Sequence, residues 1–383
     1  MDTIPFHFLM FALDVVLIMG LIYWPHREST RWTLGGFFFL SFIGHVGIFV
    51  FARLSQTSLG QCAVEGIAYH GSAFLLAAAG FLFFRRLRLL AGLSALLGLS
   101  IFAIGFNAIV WEPYNLVVER YSIETPKLQK RLRIVFVSDI QTDRIGEYER
   151  RVLRTIQEQS PDLILFGGDY LQYFQGRAGV TDVPEQFRQL FEDAKLTAPL
   201  GVFAITGNID PSHQSEFSLL FEGTTVEAIY DSETLTDWGI DRDFDPIDLT
   251  FLHYFHAVDG IGRHGLTDTG NFQIVVGHYP NFAIKDYIHA ERAPDLMLAG
   301  HTHGGQVCLP FFGPIRIKYF GRDAPIPASM YSGLFSFENG SHLLVTRGIG
   351  MERGWAPRIR FLCRPEISVI DIKPEGGSPN PHP

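Results

Sequence analysis

Asp295-Leu296-Met297-Leu298-Ala299-Gly300-His301-Thr302-His303-Gly304-Gly305-Gln306 is the stretch that decides how most of this 383-residue chain folds. A short apolar run stops abruptly at two imidazoles one residue apart, and two glycines follow. Neutral imidazole is the commonest side-chain ligand for borderline metal ions, and glycine lets backbone approach an ion or a phosphate closely. The segment therefore reads as a buried strand that delivers a ligand-bearing loop.

Four upstream runs repeat the pattern. Ile134-Val135-Phe136-Val137-Ser138 leads to Asp139, Leu163-Ile164-Leu165-Phe166-Gly167-Gly168 to Asp169, Val202-Phe203-Ala204-Ile205-Thr206-Gly207 to Asn208, and Ile274-Val275-Val276-Gly277 to His278. Continuous apolar runs of this length suit strands buried on both faces, and sites in such sheets collect at the carboxyl ends of the strands. Five strand-end loops are thus expected to converge on one point. Taken singly, each Asp or Asn is ordinary turn chemistry at a strand end.

As an ordered set, these blocks resemble the calcineurin-like metallophosphoesterases. The resemblance covers residues 132–372 and rests on Asp139-Ile140-Gln141, Gly168-Asp169, Gly207-Asn208-Ile209-Asp210, Gly277-His278 and Gly300-His301-Thr302-His303. Leu309-Pro310-Phe311-Phe312-Gly313-Pro314, Thr346-Arg347-Gly348-Ile349-Gly350 and Arg364-Pro365-Glu366-Ile367 look more narrowly like its membrane-associated YkuE-like branch. The resemblance implies an α/β fold, a four-layer αββα sandwich of two mixed sheets flanked by helices. It also implies two divalent metal ions, one held by Asp139, Asp169 and His303, with Gln141 beside them, and one by Asp169, Asn208, His278 and His301. Asp169 would bridge the pair, and the implied reaction is attack on phosphorus by a hydroxide shared between the ions. The catalytic residues carried over are Asp169, Asn208 and Asp210.

Two positions depart from the family pattern. Gln141 stands where a histidine is usual, and its carbonyl oxygen is a neutral, weaker donor. That substitution tunes the first site toward an oxygen-preferring ion, manganese first, with iron, zinc and magnesium as alternatives. Ile209 stands where the family has the histidine that assists the leaving oxygen, a contribution on the order of a hundredfold to ten-thousandfold. Asp210, which would orient that histidine, is expected to lack its partner. His213 is a candidate replacement, although a lone loop histidine reads first as a solvated side chain. The expected chemistry is a slower hydrolysis, or one confined to good leaving groups such as a nucleoside phosphate. A second class of function, a non-catalytic metal- or phosphate-binding sensor or scaffold, is countered by the retention of six other ligands together.

The first 111 residues differ in kind, and they raise the mean hydropathy of the chain to +0.15. Four segments, about 6–24, 34–52, 66–84 and 89–111, are long enough to cross a bilayer, more than a cleaved signal peptide would need. Arg27 and Arg31 fall in the first connection, Arg53 beside Glu65 in the second, and Arg85-Arg86-Leu87-Arg88 in the third. The positive-inside rule puts connections one and three in the cytoplasm and the following domain on the outer side of the plasma (inner) membrane. Lys127, Lys130, Arg131 and Arg133 oppose that orientation. Asp14, His45 and His70 are polar intruders in the spans and read as helix–helix hydrogen-bonding groups rather than as a relay.

Residues 1–111 hold 6 basic and 4 acidic groups, which leaves 25 basic and 36 acidic of the chain's 31 and 40. That acidic excess argues against nonspecific nucleic-acid binding. Cys62, Cys308 and Cys363 show no metal-binding spacing; the last two read either as a disulfide or as buried thiols. The domains expected are a four-helix transmembrane region (1–111), a linker and leading strand (112–131), the phosphoesterase domain (132–373) and a disordered tail (374–383). Helices are predicted over Glu147–Gln159 and Glu185–Leu196. Thr236–His264 reads as an insertion or lid containing a strand at Leu249–Leu252, with His253 and His256 as structural side chains. The substrate expected is a phosphodiester or pyrophosphate, lipid-linked or close to the membrane. UDP-2,3-diacylglucosamine pyrophosphatases of lipid A synthesis fit such a substrate but work on the cytoplasmic side.

Overall fold

Runs in which alternate residues are apolar on both faces can be covered only from two sides, and the structure meets that demand with four layers. The computed structural model describes residues 7–15, 46, 50, 59–172, 182–259, 269–315, 326–352 and 356–376. The chain divides into two units, Met1–Trp111 with Glu352–Ile359, and Glu112–Met351 with Arg360–Pro383.

In the second unit the strands are β1 Val117–Thr125, β2 Leu132–Val137, β3 Leu163–Phe166, β4 Val202–Ile205, β5 Glu227–Ile229, β6 Glu233–Trp238 and β7 Ile247–Phe251. They continue with β8 Phe272–Val276, β9 Leu296–Ala299, β10 Cys308–Leu309, β11 Gly313–Pro314, β12 Gly333–Ser336, β13 His342–Val345 and β14 Glu366–Pro374. One six-stranded sheet runs β1-β14-β2-β3-β4-β5, the other β12-β13-β9-β8-β7-β6. Both sheets are mixed. β2 to β5 are parallel with β14 antiparallel beside them, and β7, β8, β9 and β13 are parallel between antiparallel edges.

Period-two alternation sorts each strand's side chains into separate cores. Ile134, Phe136, Leu163, Leu165, Phe203 and Ile205 of the first sheet meet Leu249, Phe251, Ile274, Val276, Leu296 and Leu298 of the second. The opposite faces carry helices. Val135, Val137, Ile164 and Phe166 pack on Val152, Leu153 and Ile156 and on Phe187, Leu190 and Phe191, whereas Val275, Met297, Leu343 and Val345 pack on Ala257, Phe282 and Tyr287.

The predicted helices form with shifted ends. Glu147–Glu158 begins where the Glu149 carboxylate accepts the Gly146 N–H at 2.9 Å. Val183–Ala194 starts two residues earlier than predicted, since Pro184 suits a first helical turn, and stops at Lys195 with φ +47°. Thr236–His264 is largely not a lid: its first residues finish β6, Ile247–Phe251 is a sheet strand and Tyr254–Asp259 a helix, while 260–264 lie outside the described residues. Pro374 is not tail but the last residue of β14, paired with Thr125. A strand's last residue can lack an N–H without loss to the ladder. Residues 377–383 lie outside the described residues.

Among the described residues, two helices are long and apolar enough to cross a membrane, Gly60–Phe84 and Arg88–Tyr114. They break at Arg86, which has φ +62°. Gly98 and Gly105 let the second helix close on the first, for a Cβ at Gly105 would overlap that of Ala68. Of the first two predicted spans, residues 7–15 are helical; the remainder, His45 included and 46 and 50 excepted, lies outside the described residues.

Candidate metal centre

Five parallel strands end at one place. Asp139 and Gln141 follow β2, Asp169 follows β3, Asn208 follows β4, His278 follows β8, and His301 and His303 follow β9. Asp139, Gln141, Asp169, His301 and His303 all have φ between +38° and +68°. Non-glycine residues in that region cost on the order of 1–3 kcal/mol each, and such strain collects at functional sites. The loops also approach one another too closely for ordinary side chains. A Cβ on Gly207 would overlap Asp169 Oδ1, and one on Gly300 would overlap Ser138 Oγ.

Asn208 Oδ1 stands 3.0 Å from His278 Nε2 and 3.0 Å from His301 Nδ1, and Asp169 Oδ2 is 3.2 Å from the same His278 nitrogen. His278 donates Nδ1–H to Gly167 O at 2.8 Å. A neutral His278 therefore turns the Nε2 lone pair toward oxygen lone pairs. A cation among them turns that repulsion into ligation, and donors bound to one ion at about 2.1 Å and near right angles stand about 3 Å apart. Asp169, His278 and His301 present ligand atoms all within 4.8 Å of one another.

A second group shares Asp169. His303 Nε2 lies 3.5 Å from Asp139 Oδ1, and Gln141 donates Nε2–H to Asp169 Oδ2 at 3.0 Å. Gln141 Oε1 and His303 Nδ1 are buried without hydrogen-bond partners among the described residues. Buried orphan donor atoms beside paired carboxylates fit a cation. All seven sequence-derived ligands are thus brought together, in two groups joined at Asp169.

Charge follows the same geometry. Burial raises Asp169, but His278 and the Ile209 N–H hold it down at about 2. Burial lowers His278, yet Asp169 and Asp139 outweigh it and push it to about 9, a proton taking the place of a cation. Asp139 rises to about 6 through burial, against the pull of His278. His301 falls to about 3 and His303 well below its ordinary range, each chiefly through burial, so both present neutral imidazole.

Asp210 has no histidine at position 209 to orient, and it is held by backbone instead: Oδ2 accepts the Asp169 and Gly207 N–H groups at 2.7 Å each, and Oδ1 accepts Tyr170 N–H at 2.9 Å. Its carboxylate ties the loops after β3 and β4 together. Burial and then Asp169 push it up to about 7. His213 is exposed at the start of the helix Gln214–Leu219. His253 and His256 are structural, His256 Nδ1 meeting Ser232 Oγ at 2.6 Å.

Two contributors gave no pattern in the sequence. Tyr279 packs its ring on His301 with centroids 3.8 Å apart. Arg360 is fully buried, and its guanidinium donates to the carbonyls of Arg347, Gly348, Gly350 and Cys363. It thereby holds the loop after β13, from which Ile349 N and Gly350 N reach Ser138 O (3.1 Å) and Asp139 O (2.7 Å). An isolated arginine between Ile359 and Phe361 announces none of this. Cys308 and Cys363 are free thiols, both set against Gly304 O at 3.5 Å.

A carboxylate shared by two groups of buried donor atoms, an amide oxygen and three histidines at strand ends are the donor set that a metal-dependent phosphoesterase requires. Residues 132–305 match the calcineurin-like phosphoesterase family. The chain is 32% identical over 233 residues to the uncharacterized metallophosphoesterase YkuE of Bacillus subtilis, covering 58% of this chain and 72% of that protein. It is 28% identical over 322 residues to the UDP-2,3-diacylglucosamine pyrophosphatase LpxG of Chlamydia trachomatis, covering 68% and 90%. Over 229 residues it is 30% identical to the phosphodiesterase YaeI of Escherichia coli, covering 56% and 72%. The chain belongs to the calcineurin-like phosphoesterases, metal-dependent hydrolases of phosphate esters.

Proposed function

We propose that this protein is a multi-pass membrane phosphodiesterase or pyrophosphatase with a dinuclear metal centre, acting on a lipid-linked or membrane-proximal substrate. The carrying observation is the pair of ligand groups that meet at Asp169. Asp139, Gln141, Asp169 and His303 would hold one ion, and Asp169, Asn208, His278 and His301 the other. Bound there, divalent ions lower the pKa of coordinated water and neutralise phosphoryl oxygens as charge develops. Four oxygen donors favour manganese as the first ion to supply.

The chain's own residues do the rest. Gly167 O fixes the His278 ring, Asp210 positions Asp169, and Asn208, exposed beside them, is placed to meet substrate. Ile209 cannot donate a proton, which favours substrates whose departing group needs none. Beside the site lies a cavity of about 740 Å³ whose lining mixes Leu171, Ile209, Leu219 and Leu220 with charged side chains, Glu185, Arg188, Asp210, Glu216 and Glu222 among them. What supports the lipid-linked reading is the pair of membrane-length helices, which would confine the site near such substrates.

The specific alternative is a cytoplasm-facing UDP-2,3-diacylglucosamine pyrophosphatase. Similarity to LpxG along 90% of its length favours that substrate class, whose nucleotide leaving group tolerates Ile209. Full-length protein loaded with manganese should contain two ions per chain and hydrolyse an aryl phosphodiester. Asp169→Ala should abolish that turnover while circular dichroism is unchanged. Persisting turnover in Asp169→Ala would overturn the assignment, and a preference for soluble over diacylated nucleotide substrates would overturn the lipid reading alone.

A further inference from the structure

The segment Leu309-Pro310-Phe311-Phe312-Gly313-Pro314 supplies nothing to the metal centre, yet it exposes apolar surface from which folding gains nothing. β10 and β11 pair as a short hairpin, Cys308 opposite Pro314 and Leu309 opposite Gly313. Its tip is a tight turn closed by Phe312 N–H on Leu309 O at 3.2 Å. Phe311 follows Pro310 there with φ +68°, in the position where such turns favour glycine. Phe311 is fully exposed and Phe312 84% exposed, so neither ring offsets that strain by packing within the fold.

Single exposed apolar residues are ordinary, whereas contiguous ones mark a surface that something covers. Leu309, Ile315 and Leu362 are exposed beside the two phenylalanines. Ile315 N–H bonds to Val307 O at 2.9 Å and Cys308 N–H to Phe361 O at 2.8 Å, which sets Leu362 next to the base of the hairpin. From Cys308 to Ile315 the chain carries no charged residue.

Two sets of contacts place this edge. One fixes it to the ligand loop that carries His301 and His303, where a Cβ on Gly305 would overlap that of Pro314. The other fixes it to the end of a membrane-length helix. Glu112–Tyr114, the last turn of Arg88–Tyr114, belongs to the phosphoesterase unit. Glu112 Oε1 accepts Cys363 N–H, and Arg364 donates to Asn115 O at 3.0 Å and to Asn115 Oδ1 at 2.9 Å. A helix that crosses a bilayer ends in the headgroup layer, and Trp111 and Tyr114, both exposed, are residue types that collect there. Leu362 is thus one residue from a contact with that helix end. Three residues of extended chain carry Phe311 at most about 10 Å beyond Cys308.

We propose that Phe311 and Phe312 insert into the lipid interface, so that the β10–β11 hairpin holds the ligand loop of the metal centre against the bilayer. The proposal rests on the reading of the two apolar helices as membrane spans and adds a contact that the spans do not supply. Interfacial anchors sink roughly 5–10 Å past the headgroups and bind in proportion to the apolar area they bury, a depth that this hairpin can reach. Its uncharged tip brings no ion to desolvate, and Arg364, exposed at its base, suits the phosphates of anionic headgroups.

Full-length protein in vesicles of phosphatidylethanolamine and phosphatidylglycerol tests this by photocrosslinking. With p-benzoylphenylalanine replacing Phe311, irradiation should give a phospholipid adduct detected by mass spectrometry. The same probe replacing Ile240, exposed just before β7 and so at the opposite ends of the strands, should give none. Phe312→Asp should remove most of the adduct at Phe311, because a carboxylate resists entry into the interface. The readout is taken on protein that still floats with the vesicles after an alkaline wash. In that fraction, an adduct with a second copy of the chain, a yield no greater than at Ile240, or a yield undiminished by Phe312→Asp would overturn the hairpin proposal alone. Release of the protein by the wash would instead overturn the membrane reading, and the hairpin proposal with it.

Discussion

His278 shows how a single side chain reports on what its neighbours lack. Its folded pKa, about 9, stands above the ordinary value of 6.5 because Asp169 and Asp139 outweigh burial. In the metal-free protein that proton stabilises the fold below about pH 6.5, and the contribution is lost as pH rises through about 9. An ion must displace the same proton, so manganese affinity should fall about tenfold for each unit of pH lowered between 8.5 and 7, with close to one proton released per chain. Calorimetric titration in buffers of different ionisation enthalpy measures that release directly; no release at pH 7 would contradict a protonated His278. Ile209 is informative in the opposite sense. Ile209→His should raise turnover of substrates with poor leaving groups by on the order of a hundredfold, and should leave aryl phosphodiesters almost unaffected because they need no proton. Equal gains on both would mean that the new histidine acts on metal binding instead.

At the scale of elements, the site belongs to strand ends rather than to any one strand. Asp210 is the clearest case, since its carboxylate takes N–H groups from the loops after both β3 and β4. Asp210→Ala leaves three buried donors unpaired, at about 1–3 kcal/mol apiece. Thermal unfolding should show a loss of at least about 3 kcal/mol, with turnover recovering at saturating manganese if the residue positions the loops and does not touch substrate. Strand-end convergence was legible in the sequence because continuous apolar runs identify strands buried on both faces, and each ran straight into a ligand. Asp210's role was hidden because its partners are backbone N–H groups, which carry no residue identity. Arg360 was hidden for the same reason, as its guanidinium grips only carbonyls.

At the scale of the whole molecule, the orientation we propose rests on the break between two membrane-length helices and does not require the first two predicted spans. The break falls at Arg85-Arg86-Leu87, with Arg88 opening the next helix, so three arginines sit in a turn too short to dilute them. The positive-inside rule predicts a cytoplasmic place for such a turn, and on that reading the end of the second helix, and the phosphoesterase unit after it, would lie on the outer side. The opposing basic residues are committed elsewhere in the folded unit. Lys127 pairs with Asp295 at 2.8 Å, Lys130 with Asp243 at 2.7 Å, and Arg131 and Arg133 with Asp371 at 3.6 and 2.8 Å. Their first member also lies thirteen residues beyond Tyr114, toward the limit of the rule's reach. A phosphatase reporter fused after Pro383 should therefore be active only outside the cytoplasm, and replacing Arg85, Arg86 and Arg88 together by Gln should weaken that bias. A fusion active only in the cytoplasm would reverse the orientation and, with it, return the choice of substrate to the nucleotide-linked lipids made there.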